Sequence, residues 1–309
     1  LSTQIFSCAP GTIRRTPDLI GNRLPTAIIV EREIRGAIFN VPLKLPAGLA
    51  VDRSHNLYLC DQGNHRVLKF DSSLVPVHEI GGYGNDDGLF KNPVSVAVDS
   101  DYRVFITDAV NRRIQQLDTI LSYRSQFRLE DPDEPLKFGT PSGIAVTDGG
   151  ELRIADNERN DLIYLSSTGV FERIVGDLGF RGGQLDDPHG VTVDHEGNTL
   201  VCDAGNGRVV IYDKYGEYSG EIALEEFERP TSVFVESIGR IWILDQLSAR
   251  MFLCGASGAS LLPQPLMILG ASTPLNRPHS MAFLSDGRLV ISDQGNDRLL
   301  VCRVLIGGE

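Results

Sequence analysis

Histidines, aspartates and arginines recur in this chain at spacings that could do chemistry. His189 and His279 each directly follow a proline, Pro188 and Pro278, and two imidazoles can ligate a catalytic zinc when a third protein ligand joins them and one place stays open. Six aspartates, Asp61, Asp108, Asp156, Asp203, Asp245 and Asp293, each lie 15 residues after a proline: Pro46, Pro93, Pro141, Pro188, Pro230 and Pro278. In five of the six cases an arginine follows five residues later, as Arg66, Arg113, Arg208, Arg250 and Arg298, whereas Asp161 takes that place in the third. A carboxylate beside a guanidinium could move protons or hold an anion. A catalytic group, however, is normally needed once, and this pair recurs along the whole chain. The recurrence points to structure: an aspartate ending one strand accepts backbone N–H bonds from the turn and pairs with an arginine starting the next.

The histidine pair is equally short of partners. The positions matching His189 and His279 in the other units are Ala47, Val94, Ser142 and Thr231, while His55, His65, His78 and His195 fall in turns or an outer strand. No metal or other cofactor is therefore expected, a zinc-dependent lyase-like site being the least favoured alternative. No G-x-S-x-G elbow occurs, and Gly81-Gly82-Tyr83-Gly84 leads into a strand and not a helix, so it is no phosphate-binding loop. No catalytic residue is assigned, and the chain itself reads as non-catalytic.

The elements that must position these groups follow from the spacing. Successive repeat prolines stand 47, 48, 47, 42 and 48 residues apart, the period of four-stranded propeller blades. Between proline and aspartate each unit is two apolar runs around a polar turn, as in GLAVDRSHNLYLCD from Gly48 to Asp61. Such runs, continuous in Val, Ile, Leu and Ala, suit strands covered on both faces. The prolines suit strand starts, where no ladder N–H is lost. Third strands are expected near Val67–Phe70, Val209–Tyr212 and Leu299–Val304, and outer strands near Val75–Ile80 and Phe171–Val175. The last unit runs out of chain after Val304, so the strand-like segment Thr26–Ile34 is expected to pair with it and close the ring. The fold class is all-β: a six-bladed propeller over residues 26–309, with residues 1–25 a leading segment or linker.

The pattern P-x-G-[ILV]-[AT]-V-D followed by [CAT]-D-x-G-N-x-R resembles the NHL repeat of six-bladed NHL propellers. In TRIM-NHL ubiquitin ligases such propellers recognise protein or RNA targets while a separate RING domain supplies the ligase chemistry. No RING, B-box or coiled-coil pattern is visible here, and a chain that begins at Leu1 reads as the targeting part of a longer protein. The resemblance implies a non-catalytic module that binds protein partners or ubiquitination substrates, with RNA-binding repressors as the alternative; within that family the acidic balance leans toward protein-recruiting branches such as the muscle-associated Thin-like ligases.

Charge orders these alternatives. Lys and Arg number 29 against 41 Asp and Glu, a formal charge of −12, whose field repels phosphate, while RNA needs a basic track. No apolar run is long enough to span a bilayer. Five cysteines without C-x-x-C spacing suit free thiols in a reducing, cytoplasmic setting. Recognition falls to the loops before each repeat proline and the turns after each repeat aspartate, which share one end of a propeller. The apolar candidates there are Tyr83, Phe90, Phe180, Phe227 and Leu247. The acidic ones are Asp86, Asp87, Asp131, Asp133, Glu134, Glu158, Asp186, Asp187, Glu225, Glu226, Glu228 and Asp297. Lys91, Arg112, Lys137, Arg159, Arg181, Arg229 and Arg277 are the basic ones, and a cluster of Arg112, Arg159 and Arg181 would favour RNA.

Overall fold

Repeat prolines and aspartates pair across strands throughout the computed structural model, which describes residues 25–128, 138–237, 239–254 and 264–306. Pro46 stands opposite Asp61, Pro93 opposite Asp108, Pro141 opposite Asp156, Pro188 opposite Asp203, Pro230 opposite Asp245 and Pro278 opposite Asp293. Each repeat is thereby an antiparallel meander. The first is Pro46–Val51, Leu57–Asp61, Arg66–Phe70 and Pro76–Gly81, and the next three follow the same order in separate four-stranded sheets. Helix is confined to single 3₁₀ turns among the described residues, Gln62–Asn64, Ala204–Asn206 and Gln294–Asn296. The architecture is an all-β propeller.

The fifth and sixth repeats share one eight-stranded sheet. The leading strand Pro25–Ile34 lies between them, antiparallel to Arg298–Ile306 with Ile28 opposite Val304, and parallel to Gln264–Leu269 with Ile28 opposite Ile268. Pairing with the last repeat follows the sequence reading. The parallel seam to the fifth repeat does not, because nothing in the apolar pattern of a strand says whether its second edge is used. First strands contact one another in chain order, and Pro278–Phe283 also lies against Pro46–Val51.

Burial explains the uninterrupted apolar runs. Every residue of Leu57–Asp61, Val104–Asp108, Leu152–Asp156, Thr199–Asp203 and Leu289–Asp293 is buried, whereas outer strands such as Tyr123–Phe127 alternate toward solvent. The core fills the space between neighbouring sheets: Tyr58, Cys60 and Val67 of one repeat meet Val96, Ile106 and Leu117 of the next. Cys60, Cys202, Cys254 and Cys302 are buried free thiols, and burial pushes Cys254 and Cys302 up to about 12, so they are inert packing groups. Cys8 and the leading segment up to residue 24 lie outside the described residues.

Each repeat aspartate is a hub. Its carboxylate accepts the N–H of the residue 17 positions earlier: Lys44 to Asp61 at 2.8 Å, Lys91 to Asp108 at 2.7 Å, Gly139 to Asp156 at 2.6 Å, Asp186 to Asp203 at 2.6 Å, Glu228 to Asp245 at 2.9 Å and Asn276 to Asp293 at 2.7 Å. This donor belongs to the loop leading into the repeat, which the sequence reading did not anticipate; the expected N–H from the following turn is present for Asp156, from Arg159, and for Asp245, from Ser248. Asn64, Asn111, Asn206 and Asn296 bridge the aspartate to a carbonyl of that same loop. The turn glycine sits on the loop as well: Gly205 N–H donates to the Asp186 carbonyl at 2.8 Å, and an added Cβ would lie 2.8 Å from that oxygen.

Arginine completes the hub in four repeats. Arg66, Arg113, Arg208 and Arg298 donate Nε–H to Asp61, Asp108, Asp203 and Asp293 at 2.7–2.8 Å. Their remaining N–H groups reach loop carbonyls, as Arg113 does to Asn85, Asp86 and Leu89. The expected pair of Asp245 and Arg250 is absent among the described residues, and Arg250 is exposed. The reason is length. Its repeat begins only 42 residues after the previous one, so the leading loop lacks the carbonyls that the guanidinium clasps elsewhere. Asp245 bonds the Ser248 N–H at 2.9 Å instead.

Burial pushes the Asp203 carboxyl up against the Asp186 N–H, Asn206 and Arg208 that favour its charge, so the ion stays in place through its partners alone. Asp203→Ala removes the fully buried partner of Arg208, leaving that guanidinium to half-exposed Glu221 and the loop carbonyls, and empties the bonds to the Asp186 N–H and Asn206; it is expected to cost about 3–5 kcal/mol, whereas Arg250→Ala, at an exposed unpaired site, changes stability by about 0.5 kcal/mol or less. Thermal unfolding of the two variants checks this. Equal midpoints would show that the paired hub contributes nothing.

Candidate recognition surface

Leading loops and post-aspartate turns are bonded to each other within a repeat, so they share one end. Bonds between repeats tie that end together: Leu45 N–H to Asp297 at 2.7 Å, Asn92 N–H to His65 Nδ1 at 3.2 Å, Asp187 N–H to Asn160 at 2.8 Å, and Gln294 to Gln62 at 2.8 Å. Two loops have one shape, with isolated bridges between Tyr83 and Phe90 and between Leu178 and Leu185. In each, the first residue of the bridge is exposed and the second is fully buried.

That geometry sorts the apolar candidates. Tyr83, Phe180 and Leu247 are exposed, at 70%, 75% and 57%. Phe90 is buried among Ala47, Tyr58 and Ile106, and Phe227 is buried edge-on against Phe252 with ring centroids 4.9 Å apart. Neither can meet a partner, which corrects their assignment as tips: each plugs the top of its sheet. Exposed Leu178 and Val110 were missed. Leu178 could have been found, because it matches Tyr83 when the two loops are aligned.

Most basic candidates are already engaged. Arg112 pairs with Glu158 at 2.9 Å across two repeats, Arg159 with Asp161 at 2.8 Å, and Arg229 with Asp187. Lys91 lies 5.2 Å from the Tyr83 ring centre. Arg112, Arg159 and Arg181 therefore do not pool into a basic track. Among the described residues only Arg181 and Arg277 of the basic set have no such engagement, while Asp86, Asp87, Asp186, Glu225, Glu226, Glu228 and Asp297 are in no ion pair. Asp131, Asp133, Glu134 and Lys137 lie outside the described residues.

Toward the axis, the first strands line a cavity of about 280 Å³. His189 and His279 both line it. The hydrogen bond from His189, with Arg229 alongside, holds the Asp187 carboxyl at about 2. Burial and nearby His189 push His279 down to about 3, so its imidazole is neutral. Among the described residues no three His, Cys, Asp or Glu side chains are grouped to hold a metal ion.

Chemically the third repeat differs most. Asp156 and Asp161 face each other across two strands. Burial raises Asp161 to about 6, against the pull of Arg159 and with the push of Asp156, and its Oδ1 has no partner.

The all-β propeller thus carries a loop-bearing end that is acidic and apolar, built on repeated aspartate hubs. Residues 43–70 match the NHL repeat. Human NHL repeat-containing protein 3 is 34% identical over 120 residues, 37% of this chain and 34% of that protein. Protein brain tumor of Drosophila melanogaster is 26% identical over 124 residues, 40% of this chain and 12% of that one. The matches thus span about a third or less of these relatives. A streptogramin B lyase structure superposes with a TM-score of 0.64 at 14% identity, covering 89% of this chain and 97% of the other, a likeness of fold alone. Repeat and fold together support an NHL-repeat propeller.

The Asp161 shift predicts a pH signature. Its carboxyl is harder to ionise folded than unfolded, so the penalty is absent below about pH 4, grows as pH rises, and is complete above about pH 6. Asp161→Asn removes it. Denaturation midpoints across that window should show the variant gaining on the parent by up to roughly 3 kcal/mol. A difference that does not change with pH would contradict the assignment.

Proposed function

We propose that this chain is a six-bladed NHL propeller, its ring closed by the leading strand, that acts as a non-catalytic protein-recognition module. Contacts of first strands in chain order, and of the last with the first, support the blade count and the closure. One observation carries the function: at the loop-bearing end the basic side chains are largely consumed internally, while acidic ones stand unpaired beside exposed Tyr83, Phe180 and Leu247. Such a surface attracts a basic partner segment with apolar anchors. It gives RNA phosphates no track of cations to bind.

The likeness of the repeat motif to TRIM-NHL propellers extends this reading. The partner would be a ubiquitination substrate or adaptor, and the parent protein a cytoplasmic ligase with its transferase chemistry elsewhere, of the muscle-associated Thin-like kind. Buried free thiols suit a reducing compartment. No helix among the described residues is long and apolar enough to cross a membrane.

Fluorescence anisotropy with a lysine- and leucine-rich peptide, beside filter binding of single-stranded RNA at low salt, tests the choice. The peptide is expected to bind, and joint Asp86→Lys and Asp186→Lys substitution to weaken it about tenfold or more. Tight, salt-sensitive RNA binding, or peptide binding indifferent to these changes, would reverse the conclusion.

A further inference from the structure

In every repeat the fourth residue after the repeat aspartate is left-handed: His65, Arg112, Asn160, Gly207, Ala249 and Asp297 lie at φ between +51° and +61°. Where its side chain can accept a hydrogen bond, it takes the N–H of the residue before the next repeat's proline. His65 accepts from Asn92 at 3.2 Å, Asn160 from Asp187 at 2.8 Å and Asp297 from Leu45 at 2.7 Å. These three donors are themselves left-handed, at φ +68°, +50° and +49°. Arg112 and Gly207 offer no acceptor. At those two junctions the residue before the proline, Thr140 or Arg229, is not left-handed and gives its N–H to its own repeat aspartate, Asp156 or Asp245, at 2.8 Å.

The junction of the fifth and sixth repeats follows neither course. Ala249 offers no acceptor, yet Arg277 keeps φ +51°. Its N–H is the one pre-proline N–H of the repeats with no hydrogen-bond partner among the described residues. A left-handed residue other than glycine is costly, and here no bond within the chain offsets the cost. The two repeats pack as their neighbours do, with Ile241–Asp245 against Pro278–Phe283, so Ala249 stands where other junctions carry the acceptor. The Arg277 guanidinium is exposed and also without a partner among the described residues. Leu247, two residues before Ala249 in the same turn, is exposed as well.

We propose that this junction is a notch for one carboxylate side chain, an aspartate or glutamate of the partner segment, which accepts the Arg277 N–H and pairs with the Arg277 guanidinium. Charge-assisted bonds of this kind are the strong ones. The acidity of the surrounding loops repels a free anion, so the carboxylate arrives within a segment whose other charges are basic and whose apolar residue meets Leu247. The inference rests on the reading of this end as the recognition surface, and it adds that the bound segment carries an acid among its basic residues.

Amide NMR of the full chain, titrated with the peptide acetyl-Lys-Leu-Glu-Leu-Lys-amide and with its Gln counterpart, tests this. The Glu peptide is expected to shift the Arg277 amide saturably and to bind about fivefold or more tightly than the Gln peptide. Arg277→Ala should abolish that preference. So should Ala249→Asn, which supplies the acceptor in cis and should slow hydrogen exchange of the Arg277 amide. Arg181→Ala, which removes an unpaired arginine from the fourth repeat's loop, should leave the preference intact. Equal binding of the two peptides would overturn the notch and leave the surface standing, whereas binding of neither would overturn both. A preference that survives Arg277→Ala or Ala249→Asn, or that is lost in Arg181→Ala, would also overturn the notch.

Discussion

A buried carboxylate at the end of each second strand holds the propeller's repeats in shape. From that point it takes an N–H from the leading loop in every repeat, and in four of them a guanidinium that clasps the same loop. A buried charge is tolerated only when so compensated. The loop is thus fixed both by what the ion needs and by the side chain it buries, as Phe90 and Leu185 show. Its root is held by these bonds while its tip differs in sequence from repeat to repeat, as expected of loops carried on a fixed scaffold.

The two exceptions follow from the same constraint. Shortening the fifth leading loop removes the carbonyls, so the guanidinium has nothing to hold and Arg250 turns to solvent. Replacing the arginine by Asp161 in the third repeat sets a second carboxylate beside Asp156, and Arg159, two positions earlier, supplies the missing cation at 2.8 Å. In both repeats a turn N–H, from Ser248 or Arg159, takes over part of the aspartate's bonding. A cation moves with the charge only in the third repeat; in the fifth, among the described residues, Asp245 is held by N–H groups and the Ser248 hydroxyl alone.

Much of this was legible in the sequence. Proline, aspartate and arginine at fixed intervals are local punctuation, so strand order and the leading strand's pairing with the last repeat could be read directly. The failures are matters of depth and of second neighbours. Phe90 and Tyr83 belong to one loop of similar composition, yet the turn drives Phe90 into the sheet top and leaves Tyr83 in water. Arg112, Arg159 and Arg229 read as free cations because Glu158, Asp161 and Asp187 meet them only once the turns are folded, and Glu158 comes from the neighbouring repeat. The parallel seam beside Met267–Leu269 was hidden for the same reason, since strand pairing between distant segments leaves no local mark.

That seam bears on how the loop-bearing end is held. In the first four repeats each outer strand ends its own sheet, and neighbouring repeats adhere through side chains. Between the fifth and sixth, the leading strand adds backbone hydrogen bonds on both of its edges. It also anchors the hub of the last repeat, because Glu33 accepts from Arg298 at 3.0 Å and from the Ser272 N–H at 2.8 Å. The strand Pro25–Ile34 thereby holds the final leading loop at Ser272. The distance in sequence between these segments makes their pairing expensive in chain entropy, and the two-sided ladder is the interaction that offsets it.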